Sequence, residues 1–153
     1  MIIRAYRDED EDSLIDLWSA CSLIVPWNDP RKDILRKLSV NPELFLVGEL
    51  DGKIIASVMG GYEGHRGWIN YLAVHPDQQL KGFGRQIMEA VEVRIKAKGC
   101  PKINLQVRSS NQPVIQFYKR IGYKEDRVLS FGKRLIDDEE QPGDPIQDSH
   151  FKK

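Results

Sequence analysis

The dipeptide Asp51-Gly52 separates two apolar, strand-like runs, "LFLVGEL" and "KIIASVMGGY". Such a pair suits the two-residue type I′ turn, in which both central residues take positive φ, so the runs are predicted to form an antiparallel hairpin. After "EGHRG" a third run, "WINYLAV", reads as another strand, and then the period changes. Phe83, Ile87, Ala90, Val91 and Ile95 recur on one helical face from Phe83 to Lys98, with Gly99 at its end. "KINLQV" returns to alternation through Ile103, Leu105 and Val107, "NQPVIQFYKRIG" reads as a helix stopped at Gly122, and "RVLSFGKRL" as a last strand. Hairpin, strand, helix, strand, helix, strand describes a mixed sheet with helices on its faces, an α+β or α/β fold.

Upstream, Ile2 to Tyr6 is a predicted strand, and the acidic stretch Asp8 to Asp12 supplies an N-cap and first-turn carboxylates for a helix carrying Leu14, Leu17, Trp18 and Cys21. Two prolines bracket the break in "VPWNDP", after which Asp29 is placed to cap a short helix bearing Ile34, Leu35 and Leu38. A chain of 153 residues, 41% hydrophobic, buries one sizeable core, and a single domain is expected over residues 1–136. Residues 137–153, which open with "DDEE", are read as a solvated, disordered tail. Lysine plus arginine and aspartate plus glutamate both number 23, so there is no broad cationic field for nucleic acid or an anionic membrane, and any anion site must be local. No apolar run approaches the roughly 18 residues of a membrane span. Cys21 and Cys100 are far apart and belong to no C-x-x-C pair, which argues against a metal or redox motif and fits a reducing, cytoplasmic compartment.

The segment "HPDQQLKGFGRQIM", from His75 to Met88, joins an apolar strand to the long amphipathic helix through a glycine-rich turn. Backbone N–H groups and a positive helix terminus converge at such a junction, so a phosphorylated ligand is expected. Lys81 precedes Gly82 and Phe83 follows it, which excludes the nucleotide P-loop; Ile87 stands where the dinucleotide fingerprint needs its third glycine. A helix from Phe83 to Lys98 rises roughly 24 Å away from this loop and a six- or seven-residue strand travels about 20 Å back, returning Asn111 to the same edge. Tyr118 follows two helical turns later, nearly on the face of Asn111, whereas Cys100 falls at the far edge.

"LAVHPDQQLKGFG" resembles the central Q/R-x-x-G-x-G/A motif of the GNAT superfamily of acyl-CoA-dependent N-acetyltransferases, with Gln79, Gly82 and Gly84 in place. About 27 residues later, "NQPVIQFYKRIGY" is similar to the family's following motif through Asn111, Phe117, Tyr118, Gly122 and Tyr123. The resemblance covers about residues 2 to 136, and "PWNDP" with "GGYEGHRG" further resembles a bacterial branch typified by YpeA. It implies a mixed, mostly antiparallel central sheet with helices on both faces and two splayed central strands. It implies that acetyl-CoA is the co-substrate, with no metal, and that an amine is the acceptor; a homodimer is among the expected assemblies. The backbone N–H groups of Gln79, Leu80, Lys81, Gly82, Phe83 and Gly84 would hold the pyrophosphate. The edge formed by Leu72, Ala73 and Val74 would pair with the pantetheine arm and orient the thioester carbonyl, Asn111 would contact the cofactor, and Tyr118 would contact it and protonate the leaving thiolate. Leu80 stands where relatives often have glycine, and Trp68 where some carry a glutamate base.

Amine acylation needs a neutral nucleophile, a polarised carbonyl and a proton for the thiolate. Glu63, on the loop before the central strand, is a candidate to relay the amine proton through water; it reads equally as a solvated loop carboxylate. His65 and Arg66 share that loop and are placed to hold an acceptor carboxylate, or simply to make the surface polar. Trp27, Asn28 and Asp29 lie where the family's first helices overhang the acceptor groove, with capping by Asp29 and packing by Trp27 as the alternative. His75 reads as a turn residue. The expected activity is direct transfer of an acetyl group to a primary amine, whether a protein N-terminus, a lysine or a small amine; the rival is a noncatalytic acyl-CoA-binding or sensing module.

Overall fold

The computed structural model describes residues 1–138, so residues 139–153 of the expected tail lie outside the described part. Strand β1 (Ile2–Ala5) leads through a 3₁₀ turn at Asp8–Asp10 into α1 (Glu11–Ala20), followed by α2 (Pro30–Leu38). Then come β2 (Phe45–Leu50), β3 (Lys53–Tyr62), β4 (Gly67–Val74), α3 (Phe83–Ala97), β5 (Ile103–Asn104) and α4 (Gln112–Arg120). The strands lie in sequence order, β1 to β4 antiparallel and β5 parallel to β4. At the β2–β3 turn Asp51 has φ 50° and Gly52 φ 76°, the two positive values that the dipeptide predicts.

Each face of the sheet carries its own core. On one side Leu14, Leu17, Trp18 and Ile34 of α1 and α2 cover Phe45, Val47, Met59 and Ala73; on the other Ile87, Met88, Val91 and Ile95 of α3, with Tyr118 of α4, cover Leu46, Ala56, Val58 and Ile69. The four α3 side chains are fully buried, each worth about 1.5–3 kcal/mol of transfer free energy. Asp29 caps α2 as predicted, accepting from the N–H groups of Arg31 and Lys32. Leu35, expected on the buried face, is instead 68% exposed, because Ile34 alone meets the core at that level of the helix. Nor does Asp10 cap α1 through its side chain: it receives a fork from Arg4 at 2.7 and 2.9 Å and the N–H of Arg7, which holds its carboxyl below the usual range.

Three differences lie in the C-terminal third. The strand expected over "KINLQV" pairs only at Ile103 and Asn104, opposite Gly67 and Trp68, because β4 departs from a regular ladder further along. With so little of β5 in the sheet, "RVLSFGKRL" finds no ladder and forms no strand. Val128, Leu129, Phe131 and Leu135 are 77–89% exposed, and side-chain bonds from Gln106 to Ser130 and from Arg134 to Asn28 hold the segment instead. Asp138, read as part of a solvated tail, is buried: it binds Arg36 and accepts the Asp29 N–H at 2.9 Å.

Candidate active site

The site grows from the junction of β4 and α3. His75 opens a 3₁₀ turn by accepting the Asp77 N–H at 3.2 Å, and the Gln79 side chain donates back to the Val74 carbonyl at 3.0 Å, tying the loop to the strand end. Leu80 has φ 62° and is fully exposed, while Gly82 has φ 84° with open space where a Cβ would stand. Leu80 thus carries a left-handed conformation that a glycine would adopt without strain, and Gly82 is required by its backbone. The first i→i−4 bond of α3 runs from Gln86 N–H to the Gly82 carbonyl at 3.1 Å, so the N–H groups of Phe83, Gly84 and Arg85 precede the ladder at the positive helix end. Those donors, with Lys81 and Arg85 beside them, suit a diphosphate. Gly84 answers to packing: a Cβ there would lie 3.1 Å from the Phe117 ring, so its absence lets α3 and α4 approach.

Beside the loop, β4 is irregular. Ser57 faces Ala73 but Met59 faces Asn70, so β4 carries one residue more than β3 over that interval. The extra residue switches faces: Ile69 packs under α3, yet Tyr71 and Ala73 both pack under α1 and α2. Tyr71 takes φ 50°, unusual for an aromatic residue. Its ring stacks on Trp18 with centroids 4.0 Å apart, its hydroxyl donates to Asp33 Oδ2 at 2.6 Å, and its carbonyl accepts the Ser57 hydroxyl at 2.8 Å. Burial and then the Asp33 carboxylate push its phenol above the ordinary range. Nothing in "WINYLAV" signals this, since the run alternates like any strand, and no motif singles out Tyr71 or Asp33.

α4 borders the same end. Asn111 caps it by accepting the Val114 N–H at 3.4 Å, and Arg85 Nη2 donates to the Arg120 carbonyl at 3.2 Å. Tyr118 is 8% exposed, in the cluster that Leu72 and Val74 pack against, with Phe117 and Tyr123 edge-on at 5.2 and 5.5 Å. Burial pushes its hydroxyl up to about 12. Tyr123 donates to Glu92 at 3.1 Å, and burial raises that carboxyl. A cleft of about 1260 Å³ runs past Trp68, Asn104, Gln106, Tyr118, Tyr123 and Ser130; its lining does not extend to residues 79–84.

The other candidates lie apart. Glu63 Oε1 accepts the N–H groups of His65 and Arg66, which closes the β3–β4 turn around the Tyr62–Gly67 pair. From Gly67 to Leu72 the strand advances roughly 17 Å, so Glu63 and His65 stand at the opposite end of β4 from the glycine loop. Cys100 is at that far end too, beside Gly67 and Ile103. Trp27 is 46% exposed, Asn28 accepts from Arg134 at 3.2 Å, and the Asp29 N–H is bound by Asp138.

The acetyltransferase (GNAT) family matches residues 6–123. An acetyltransferase of Sodalis glossinidius (strain morsitans) is 49% identical over 141 residues, 92% of this chain and 99% of that protein. Among solved structures, Ard1 from Thermoplasma volcanium superposes with a TM-score of 0.71 at 23% identity, over 79% of this chain and 80% of that one. An aminoglycoside N-acetyltransferase in complex with CoA gives 0.67 at 17%, over 88% and 100%. At those identities the two structures share the fold alone, a mixed sheet of five mostly antiparallel strands between helices. With the family matched over most of its length and a half-identical relative matched end to end, the chain belongs to the GNAT family of acetyltransferases and is an acyl-CoA-dependent acyltransferase.

Proposed function

We propose that this chain transfers an acetyl group from acetyl-CoA directly to a primary amine of low pKa, an α-amino group in preference to a lysine side chain. One observation carries the reading: β4 and β5 part after Trp68 and Asn104, and at the parted end of β4 stand the uncapped N-terminus of α3 and the buried hydroxyl-bearing Tyr118. Acetyl-CoA supplies an acyl group activated as a thioester. In this reading the N–H groups from Gln79 to Gly84 bind its diphosphate, the Leu72–Val74 edge aligns the pantetheine arm, and Asn111 borders the cofactor. Tyr118 gives its phenolic proton to the sulfur as the amine nitrogen bonds the carbonyl carbon and the C–S bond breaks; the amine's surplus proton goes to water. Trp27, Asn28 and Asp29, with Glu63 and His65 at the far rim, border the acceptor. The preference for low-pKa amines follows from Glu63: it serves its own turn at the opposite end of β4, so in this reading the acceptor arrives neutral.

At pH 7 an α-amino group with pKa near 8 is neutral about 10²-fold more often than a lysine near 10.4. Thiol release with acetyl-CoA and matched peptides, one with a free N-terminus and one with only a lysine, should differ by that order. Equal rates, or a faster lysine, would defeat the acceptor preference, and no thiol release with any amine would defeat transfer itself.

A further inference from the structure

Tyr71 is held at three points: Trp18 under the ring, Ser57 at the carbonyl, Asp33 at the hydroxyl. Ser57 is itself fixed by the Trp18 indole N–H at 2.9 Å, within the core. Asp33 continues outward, since its other oxygen accepts Arg36 Nη1 at 3.0 Å, and Arg36 forks onto Asp138, whose carboxylate also takes the Asp29 N–H. A side-chain chain therefore runs from the C-terminal end of the described residues, through α2, to the irregular stretch of β4. Tyr71 and Leu72 have no register partner on β3, and β5 has already parted from β4 there. A left-handed tyrosine costs energy and persists only where its surroundings over-determine it; here three contacts do so.

We propose that Tyr71 is a positioning residue for acyl transfer, its phenol anchored by Asp33 and, through Arg36 and Asp138, by the C-terminal segment. It rests on the transfer reading above. The tyrosine touches neither reactant in this scheme: it holds the backbone of residues 71–72 at the angle at which that edge meets the thioester carbonyl. The charge-assisted hydrogen bond to Asp33 is one of the three contacts that fix the angle, so deleting it loosens the transition-state fit while the diphosphate site, built by other residues, stays whole.

Tyr71→Phe keeps the ring and its stacking and removes only the donor; Asp33→Asn removes the charge of the acceptor. With acetyl-CoA and an amine that the wild-type protein uses, each should lower kcat about tenfold, the rate equivalent of one charge-assisted hydrogen bond, with KM for acetyl-CoA unchanged. The double variant should be no slower than Tyr71→Phe, because Asp33→Asn weakens the same hydrogen bond that Tyr71→Phe deletes. Asp138→Asn should lower kcat by a smaller factor. Amide exchange at residues 70–73 should quicken in Tyr71→Phe, while thermal unfolding shows the domain intact. Wild-type kcat in Tyr71→Phe, or losses that multiply in the double, overturns the proposal and leaves the transfer reading standing. A wild-type protein that acylates no amine overturns both.

Discussion

Tyr118 shows how one residue's surroundings set its chemistry. Burial beneath Phe117 and Tyr123 moves its hydroxyl from 10.0 to about 12, so it is protonated throughout the working range and available as a proton donor. Tyr118→Phe preserves the packing and should reduce kcat by ~10²–10⁴, the usual worth of general acid catalysis, with acetyl-CoA affinity little changed. Steady-state kinetics beside a thermal melt decides it: near wild-type kcat would leave Tyr118 a packing residue. The folded hydroxyl is the weaker acid, so its contribution to stability is complete below pH 10 and fades as pH climbs through about 12. Tyr118→Phe should lack that part of the alkaline loss. Glu63 has the opposite character. Its oxygen accepts two backbone N–H groups, a task that a glutamine carbonyl also performs, so Glu63→Gln should leave the pH–rate profile close to wild type. A fall confined to pH values below the acceptor's pKa would return the proton-carrying role to Glu63.

Among the elements, the glycine loop holds two glycines for two reasons. Gly82→Ala meets no atom but must adopt φ 84°, at a cost of about 1–2 kcal/mol. Gly84→Val instead drives its side chain into Phe117, parting α3 from α4; overpacking of this kind costs about 1–3 kcal/mol and should weaken CoA as the helix end shifts. Denaturant titration with and without CoA separates strain in the loop from displacement of the helix. α2 makes a pH-dependent contact of its own. The Arg36 bond and the Asp29 N–H lower the Asp138 carboxyl from 3.8 to about 2, so this contact stabilises the fold above about pH 4 and is lost as pH falls toward 2. Melting temperatures of wild type and Asp138→Asn should differ at pH 7 and converge in acid; a constant gap would mean that Asp138 acts through shape and not charge.

At the scale of the molecule, local patterns determined a great deal. Asp51-Gly52 dictated a turn, the period-3.6 stripe of Ile87, Val91 and Ile95 a buried helix, and Gly82 the turn that opens it; each depends on residues close in sequence, where backbone preference and side-chain period suffice. Asp29 as a cap was legible for the same reason. The absence of a strand in "RVLSFGKRL" was not legible, because alternation marks a capacity to pair and says nothing of whether an edge is there to receive it. Tyr71 lay hidden in a regular-looking strand, since one residue inserted against β3 changes which face every later side chain takes, and that depends on Ser57 and Met59 far away in sequence. Asp138 read as part of a solvated tail, and nothing marked Asp33, until the fold brought them to Arg36 and the Tyr71 hydroxyl. The sequence by itself determined the hairpin, the helices and the glycine turn that opens α3. Only the tertiary structure decided where β4 breaks its ladder and which distant charges hold it, because both are set by contacts whose partners lie many residues apart.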